Sequence, residues 1–191
     1  MKKIIFLLTF IISSHLWASN HSLDSTIDKH QSEFENVAMT IWDLAEVGYQ
    51  EYESSKLLQN SLKDHGFKIQ TNVADIPTAF IAEYGSGSPV IAILGEFDAL
   101  PGVAQSASPF KEPYKDNQAG HACGHHLFGA GSAWSSVVIK DWMKANNIKG
   151  TIRFYGTPAE EGGSGKVYMT RAGLFNDVDV ALHWHPGSVS H

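Results

Sequence analysis

The alternation of short apolar runs with amphipathic stretches constrains the fold of this 191-residue chain more than any other feature. Residues 90–94 are continuously apolar, which is typical of a strand buried on both faces. Apolar residues at helical spacing predict helices, and short alternating runs predict further strands. The predicted helices are residues 23–47, 54–65, 124–146 and 165–172, and the other predicted strands are residues 67–71, 79–84, 151–155 and 178–182. This order predicts an α/β domain with a mostly parallel sheet flanked by helices.

The composition bounds the class of protein and its partners. Hydrophobic residues make up 43% of the chain and charged residues 18%, as in globular proteins that bury a sizeable core. The formal net charge is -6 and no basic stripe is present, so we expect no binding to nucleic acid.

The first residues have the order of a secretory signal peptide. Lys2 and Lys3 precede the apolar residues 4–12, and a cleavage site after Ala18 fits, although the bulky Leu16 makes that site imperfect. The apolar run is too short to span a bilayer as a stable helix, although an uncleaved anchor is the alternative. We therefore expect a signal peptide at residues 1–18 and a periplasmic or secreted protein at residues 19–191. No membrane association is expected after cleavage.

Cys123 and His125 lie two residues apart, and Gly120 and Gly124 flank them. From a non-helical loop both side chains can point at one place, and zinc-like cations accept thiolate and imidazole ligands. The glycines permit tight backbone turns around such ligands. The alternatives are a buried apolar thiol and a histidine with a surface or capping role. Cys123 is the only cysteine of the chain, so it cannot form an internal disulfide.

Two further segments carry groups that bind divalent metals. Glu160 and Glu161 are adjacent, so one carboxylate could bind metal while the other transfers protons. The alternative is a charge pair that favours the dipole of the following helix. His183 and His185 compete for a single ligand role, and the other histidine then has a supporting or structural one.

Most of these groups follow a predicted strand. Asp98 follows residues 90–94, Glu160 and Glu161 follow residues 151–155, and both histidines follow residues 178–182. Ligands of such sheets bind beyond the carboxyl ends of the strands, so we expect one composite site there. The Cys123 segment precedes a helix instead.

Three motifs together resemble one family of metallopeptidases. They are Gly-Glu-Phe-Asp-Ala-Leu-Pro at residues 95–101, His-Ala-Cys-Gly-His at residues 121–125 and Pro-Ala-Glu-Glu-Gly-Gly at residues 158–163. In this order they resemble the aminoacylase, hippurate hydrolase and carboxypeptidase G-like amidohydrolases, with the aminobenzoyl-glutamate hydrolases as the nearest branch. The similarity covers nearly all of residues 19–191.

The resemblance implies a dinuclear metal centre that hydrolyses the amide bond of an N-acyl or N-aroyl amino acid. The resemblance also implies two divalent metal ions, which could be zinc, manganese or cobalt. The implied substrate is a small-molecule N-acyl amino acid. Glu160 is the implied general base, and Asp98 is the implied acidic residue that orients the site. His185 is preferred over His183 because it falls in register when residues 173–175 and Asp179 are matched without gaps. The implied metal ligands are Cys123, His125, Glu161 and His185.

The chain departs from the family pattern in two respects. His126 stands where the family usually has Asp or Asn, so the orientation of ligands through this position is in doubt. Relatives are also longer, with a lid or dimerisation domain and a further histidine ligand, and they are expected to be dimeric. We therefore expect an N-terminal fragment of the catalytic domain with weak or no activity. The alternative is a non-catalytic metal-binding or interaction fragment.

Overall fold

The computed structural model describes residues 5–114 and 118–189, with side chains described from residue 24 onward. Residues 1–4 of the expected signal peptide therefore lie outside the described residues. Among the described residues, no helix combines the length and the hydrophobicity that crossing a membrane requires. The helices are α1 (Ile5–Leu44), α2 (Tyr52–Asp64), α3 (His125–Ala145), the short kinked turn α4 (Glu160–Gly163) and α5 (Gly165–Arg171).

The first helix differs from its predicted bounds at both ends. It begins well before residue 23 because residues 5–44 contain no glycine or proline to interrupt it. It ends at Leu44 rather than at residue 47 because Ala45 adopts a left-handed conformation, with φ of 43°. Val47 then forms an isolated parallel bridge with Ala99, which ties the end of α1 to the loop after the third strand of the sheet.

The strands form one five-stranded mixed sheet. They are β1 (Lys68–Thr71), β2 (Phe80–Ser86), β3 (Val90–Gly95), β4 (Gly150–Gly156) and β5 (Val180–Leu182), in the spatial order β1-β2-β4-β3-β5. β3 is parallel to β4 and to β5, whereas β2 is antiparallel to both of its neighbours, β1 and β4. Four of the five strands therefore point the same way, as a mostly parallel sheet requires, and β2 is reversed.

Helices pack on both faces of this sheet. On one face, α1, α2 and α3 cover the larger apolar core, in which Phe80, Ile93 and Phe154 come from the sheet. On the other face, Met169 of α5 and the residues that follow it cover a smaller core around Tyr155. β3 is covered on both faces and its sequence is continuously apolar, whereas β4 carries Thr151 and Arg153 between its apolar residues.

Close contact between α3 and the end of β3 fixes where the functional loops lie. A Cβ atom on Gly129 would stand 2.7 Å from the carbonyl oxygen of Glu96, so only glycine allows the helix to approach this closely. The loop after β3 is also tied to the segment before α3 by an antiparallel bridge between Leu100 and Gly120. The start of α3 is therefore held beside the carboxyl end of β3.

Candidate metal centre

The loops that follow β3, β4 and β5 meet at one edge of the sheet, beside the start of α3. The sequence predicts a composite site at this edge. The three strands are parallel, so their carboxyl ends meet there. The groups brought to this edge are Glu96 and Asp98 after β3, Glu160 and Glu161 after β4, His183 and His185 after β5, and Cys123 and His125 at the start of α3.

His125 lies at the centre of the cluster and is fully buried. Its Nδ1–H donates to the carboxylate Oδ1 and to the carbonyl oxygen of Asp98, both at 3.0 Å. Its Nε2 lies 3.0 Å from Oε2 of Glu96 and 3.9 Å from Oε2 of Glu160. Burial acts to lower the pKa of His125, but Asp98 and Glu96 outweigh it and raise that pKa to about 10. With no metal bound, His125 is therefore an imidazolium whose orientation is set by Asp98.

Cys123 faces His185 across the cluster. The Sγ atom of Cys123 lies 3.5 Å from Nε2 of His185, and one ligand atom from each of Cys123, His125 and His185 lies within 4.8 Å of the others. Gly124 makes this possible because its φ of 80° turns the chain between Cys123 and His125. Of the two histidines after β5, His185 is therefore the one beside the thiol.

The thiol of Cys123 is held in its protonated form. Burial raises its pKa, and the neighbouring Glu161, Glu160 and Glu96 raise it further, to about 11. A thiol needs a nearby positive charge to ionise at neutral pH. These carboxylates therefore argue against a free nucleophilic cysteine. A bound cation would outweigh their negative charge and favour the thiolate of Cys123.

Glu96 is a buried carboxylate to which the sequence pattern assigns no role. Burial acts to raise its pKa, but His125 and Lys166 outweigh it and lower that pKa to about 2. Lys166 of α5 donates a hydrogen bond to Oε1 of Glu96, and Nε2 of His183 lies 3.5 Å from the same oxygen. A second group of possible ligand atoms is formed by Glu96, His125 and Glu160. The one signal of Glu96 in the sequence is its place two residues before Asp98.

Glu160 and Glu161 occupy different surroundings although they are adjacent. The backbone N–H of Glu161 donates to Oδ2 of Asp98 at 2.8 Å, and Oε1 of Glu161 is buried. The side chain of Glu160 is 42% exposed and faces Nε2 of His125. Asp98 therefore orients both His125 and the Glu161 segment, while Glu160 remains open to water.

Glu51 supports the same segment and is another residue to which the sequence pattern assigns no role. It is fully buried, and its Oε1 accepts a hydrogen bond of 2.8 Å from the backbone N–H of Ala159. Ala159 has a φ of 54°, a left-handed conformation that costs energy in a residue other than glycine. Burial raises the pKa of Glu51. The hydrogen bond stabilises the strained turn that directs Glu160 and Glu161 into the cluster.

The donor atoms of the cluster fit a cation. Within the part of the chain that the structure describes, Oε1 of Glu161 is buried without a hydrogen-bond partner, and the buried Nε2 of His125 and Oε2 of Glu96 face each other at 3.0 Å. Buried polar atoms are normally paired, so the unpaired oxygen of Glu161 beside this ion pair is consistent with a site for a cation. Thiolate, imidazole and carboxylate are the ligand types that zinc-like metals accept.

His121 and His126 do not join this cluster. Both are buried, and burial lowers the pKa of each to about 4, so both are neutral near pH 7. His121 Nε2–H donates to the carbonyl oxygen of Ile41, and the ring of His126 packs edge-on against Trp42. His126 therefore turns towards α1, and it belongs to neither of the ligand groups at this edge of the sheet among the described residues.

The structure thus brings the predicted site residues to one place. Cys123, His125 and His185 form one possible ligand group, and Asp98 contacts His125 directly. Glu161 adjoins Cys123 and Glu160 adjoins His125. The roles of these residues as ligands, base or orienting group stay predictions.

Comparison with known proteins places the chain among hydrolases. A family model for peptidase family M20/M25/M40 matches residues 92–191. One subunit of the p-aminobenzoyl-glutamate hydrolase of Escherichia coli is 43% identical over 86% of this chain and 34% of the relative. The hippurate hydrolase of Campylobacter jejuni is 29% identical over 81% of this chain and 39% of the relative. The chain therefore spans between a third and two fifths of the length of these relatives.

A solved structure extends the similarity to three dimensions. The YXEP protein of Bacillus subtilis, described as a dinuclear metal-binding peptidase of the M20 family, superposes with a TM-score of 0.61 and 30% identity. The match covers 82% of this chain and 44% of that one. Because the family model matches more than half of the chain and includes Cys123, His125, Glu160, Glu161 and His185, the chain belongs to peptidase family M20/M25/M40.

Proposed function

We propose that this chain carries the metal-binding and proton-transfer groups of a hydrolase that cleaves the amide bond of N-acyl or N-aroyl amino acids. The observation that carries the proposal is the convergence of Cys123, His125 and His185 beside an exposed Glu160. A thiolate and two imidazoles bind a divalent cation, and a free carboxylate beside them is the group that amide hydrolysis needs as a base.

The metal-binding part of the proposal follows from the donor set. Cys123, His125, Glu161 and His185 would hold the metal, and Glu96 adds a carboxylate whose Oε2 lies 3.0 Å from Nε2 of His125. The mixture of sulfur, nitrogen and oxygen donors is compatible with zinc, manganese or cobalt. When bound, divalent cations polarise the amide carbonyl and lower the pKa of the attacking water.

Proton transfer is assigned to Glu160. Its side chain is exposed enough to reach both water and substrate, whereas Glu161 and Glu96 are turned into the cluster. In hydrolysis the carboxylate of Glu160 takes the proton of the attacking water and then delivers a proton to the departing amine nitrogen. Asp98 keeps Nδ1 of His125 protonated, which leaves Nε2 directed at the cluster.

The substrate class and the assembly are inferred from the relatives. Both relatives are named for hydrolysing the amide of an aroyl amino acid, p-aminobenzoyl-glutamate in one and hippurate in the other. The Escherichia coli relative is named as one subunit of its enzyme. We therefore propose that the complete protein acts on a small N-aroyl amino acid and works in an assembly with another polypeptide.

We also propose that the protein is exported and loses residues 1–18. The support is the order of Lys2, Lys3, the apolar residues 4–12 and Ala18. N-terminal sequencing of the protein recovered from its native cells tests this directly. A mature chain that begins at Ser19 is the expected result, and a protein that retains Met1 in the cytoplasm would contradict it.

The function is tested with Glu160→Gln, assayed on the 191-residue chain and on the complete product of its gene. The substitution removes the base but keeps the shape of the side chain, so hydrolysis of p-aminobenzoyl-glutamate and hippurate should fall by about 10²-fold or more while metal content is unchanged. Glu53→Gln, at an exposed carboxylate of α2, is the matched control and should leave both unchanged. Bound metal without turnover in any form would instead indicate a non-catalytic metal-binding protein.

A further inference from the structure

A second cluster of metal-binding side chains lies on the helical face of the molecule. His30 and Glu33 are three residues apart on α1, which places them on one side of that helix, and His65 caps the carboxyl end of α2. Asp141 of α3, which contacts His30, lies 16 residues after His125, so the two are separated by about 24 Å along the helix axis. The cluster of His30, Glu33 and His65, here called the peripheral cluster, is therefore distinct from the candidate metal centre.

We propose that the peripheral cluster is a structural binding site for a transition-metal cation such as Zn²⁺. One possible ligand atom from each of its three residues lies within 4.8 Å of the other two. Ligands in a tetrahedral zinc site lie roughly 3.4 Å apart, so small shifts of three side chains complete the geometry. Two imidazoles and a carboxylate are a ligand set that zinc accepts, and the carboxylate of Asp141 stands 2.9 Å from Nε2 of His30.

The charges around the cluster favour a cation at Glu33 in particular. Asp141 already contacts Lys140 at 2.5 Å and Lys29 at 3.7 Å, so its charge is balanced. The carboxylate of Glu33, in contrast, accepts hydrogen bonds from Ser61 and His65, at 2.8 Å and 2.9 Å. A cation would replace the hydrogen bond between His65 and Glu33 and neutralise this carboxylate.

Burial and access also suit a bound ion. The side chain of His30 is 7% exposed and that of His65 is 17% exposed, and their rings meet edge to face with centroids 4.8 Å apart. The side chain of Glu33 is 42% exposed, which leaves an entrance from solvent. A cation held here would tie α1 to α2, and through His30 and Asp141 also to α3, so it would stabilise the helical layer.

The test counts Zn²⁺ bound to the full chain after the candidate metal centre has been disabled. The background protein carries Cys123→Ser, His125→Asn and His185→Asn, which together remove ligands from both groups of the candidate metal centre, and Zn²⁺ alone is added during equilibrium dialysis. Glu33→Gln and His65→Asn are then compared with Glu35→Gln, the same chemical change at an exposed carboxylate two residues further along α1. Circular dichroism without metal establishes that each variant is folded, and Glu33→Gln decides the outcome if His65→Asn is not.

The proposal predicts one bound Zn²⁺ per background chain and a rise in Tm on adding Zn²⁺. Both should be lost in Glu33→Gln and in His65→Asn and kept in Glu35→Gln. It is overturned if the background chain binds no Zn²⁺, if Glu33→Gln and His65→Asn bind as much as the background, or if Glu35→Gln loses the ion equally.

Discussion

At the scale of single residues, the candidate site depends on buried carboxylates that hold other groups in place. Asp98 contacts both His125 and the backbone of Glu161, and Glu51 contacts the backbone of Ala159. Each of these carboxylates accepts a hydrogen bond that would otherwise be missing from a buried group. The candidate ligands His125 and Glu161 are therefore oriented by hydrogen bonds within the protein itself.

Substitutions of Glu51 test whether its hydrogen bond holds the backbone of Ala159 in place. Glu51→Ala removes the acceptor of the Ala159 N–H and leaves a cavity, so we expect the free energy of unfolding to fall by about 1–3 kcal/mol from the lost acceptor alone. Glu51→Gln keeps an acceptor oxygen in the same place and should change stability much less. Urea denaturation of both variants measures the difference. Equal losses in the two variants would show that the hydrogen bond to Ala159 is not what Glu51 contributes.

The titration of Cys123 and His125 predicts how metal binding depends on pH. With pKa values raised to about 11 and about 10, both groups are protonated near pH 7, and both must lose a proton to bind metal. Metal affinity should therefore rise with pH, with log K increasing by about 2 per pH unit between about pH 6 and pH 8. Isothermal titration of Zn²⁺ in several buffers measures the protons released.

Two substitutions provide the controls for this titration. Glu33→Gln protein is used throughout, so that the peripheral cluster does not contribute. Adding Cys123→Ser should reduce the slope to about 1, because one titrating ligand is gone. An affinity that does not change with pH would contradict the assignment of either residue as a ligand.

The candidate ligands could be predicted from the sequence, but their supports could not. Cys123 and His125 alone are a weak signal, because a buried thiol and a surface histidine are common, and the resemblance carried by the three motifs singled them out together with His185 and Glu161. Glu51 and Glu96 look like ordinary acidic residues until the fold buries them. Glu51 acts on a backbone group 108 positions away, and Glu96 contacts a lysine 70 positions away, which no local pattern encodes.

At the scale of helices and strands, the close contact between α3 and β3 determines the position of His125. A Cβ atom on Gly129 would meet the backbone oxygen of Glu96, which cannot move without displacing the end of β3. The corresponding atom on Gly131 would instead stand 3.0 Å from the ring of Trp184, a partly exposed side chain held by a hydrogen bond to Ser132 rather than by the backbone of a strand. The two glycines of one helix therefore differ in what constrains them.

This difference predicts unequal losses of stability for the same substitution. Gly129→Ala should destabilise the fold by about 1–3 kcal/mol through overpacking, in spite of the better helix propensity of alanine. Gly131→Ala should cost less, because the gain of about 1 kcal/mol in propensity offsets a contact that can relax. Thermal unfolding of the two variants compares them. A Gly129→Ala protein as stable as the native one would contradict the close approach of α3 to β3.

The strands and helices were predicted more accurately than the way they pair. The apolar run of residues 90–94 and the short alternating run of residues 151–155 located β3 and β4 to within a residue or two, because such patterns are local. The reversal of β2 and the insertion of β4 between β2 and β3 were not predicted. Pairing joins residues as distant as Ile91 and Val180, so it depends on the whole core rather than on any one segment.

At the scale of the whole molecule, the sheet collects groups from four distant segments into one candidate centre. The loops after three parallel strands and the start of α3 supply them, so the site exists only when the sheet has formed. The chain covers 34% of its Escherichia coli relative and still contains this set. Metal binding should therefore be a property of the folded chain, and it should be lost on denaturation.

The central claim is that Cys123 binds the metal together with histidine ligands, and X-ray absorption at the zinc edge tests it most directly. Cys123 is the only cysteine in the sequence, so a thiolate neighbour of the bound zinc can come from no other residue of the chain. Glu33→Gln protein, in which the peripheral cluster does not contribute, should show a sulfur neighbour at about 2.3 Å and nitrogen or oxygen neighbours at about 2.0–2.1 Å when it is loaded with one equivalent of Zn²⁺. The sulfur neighbour should disappear when Cys123→Ser is added. Zinc surrounded by nitrogen and oxygen alone in the Glu33→Gln protein would contradict the claim.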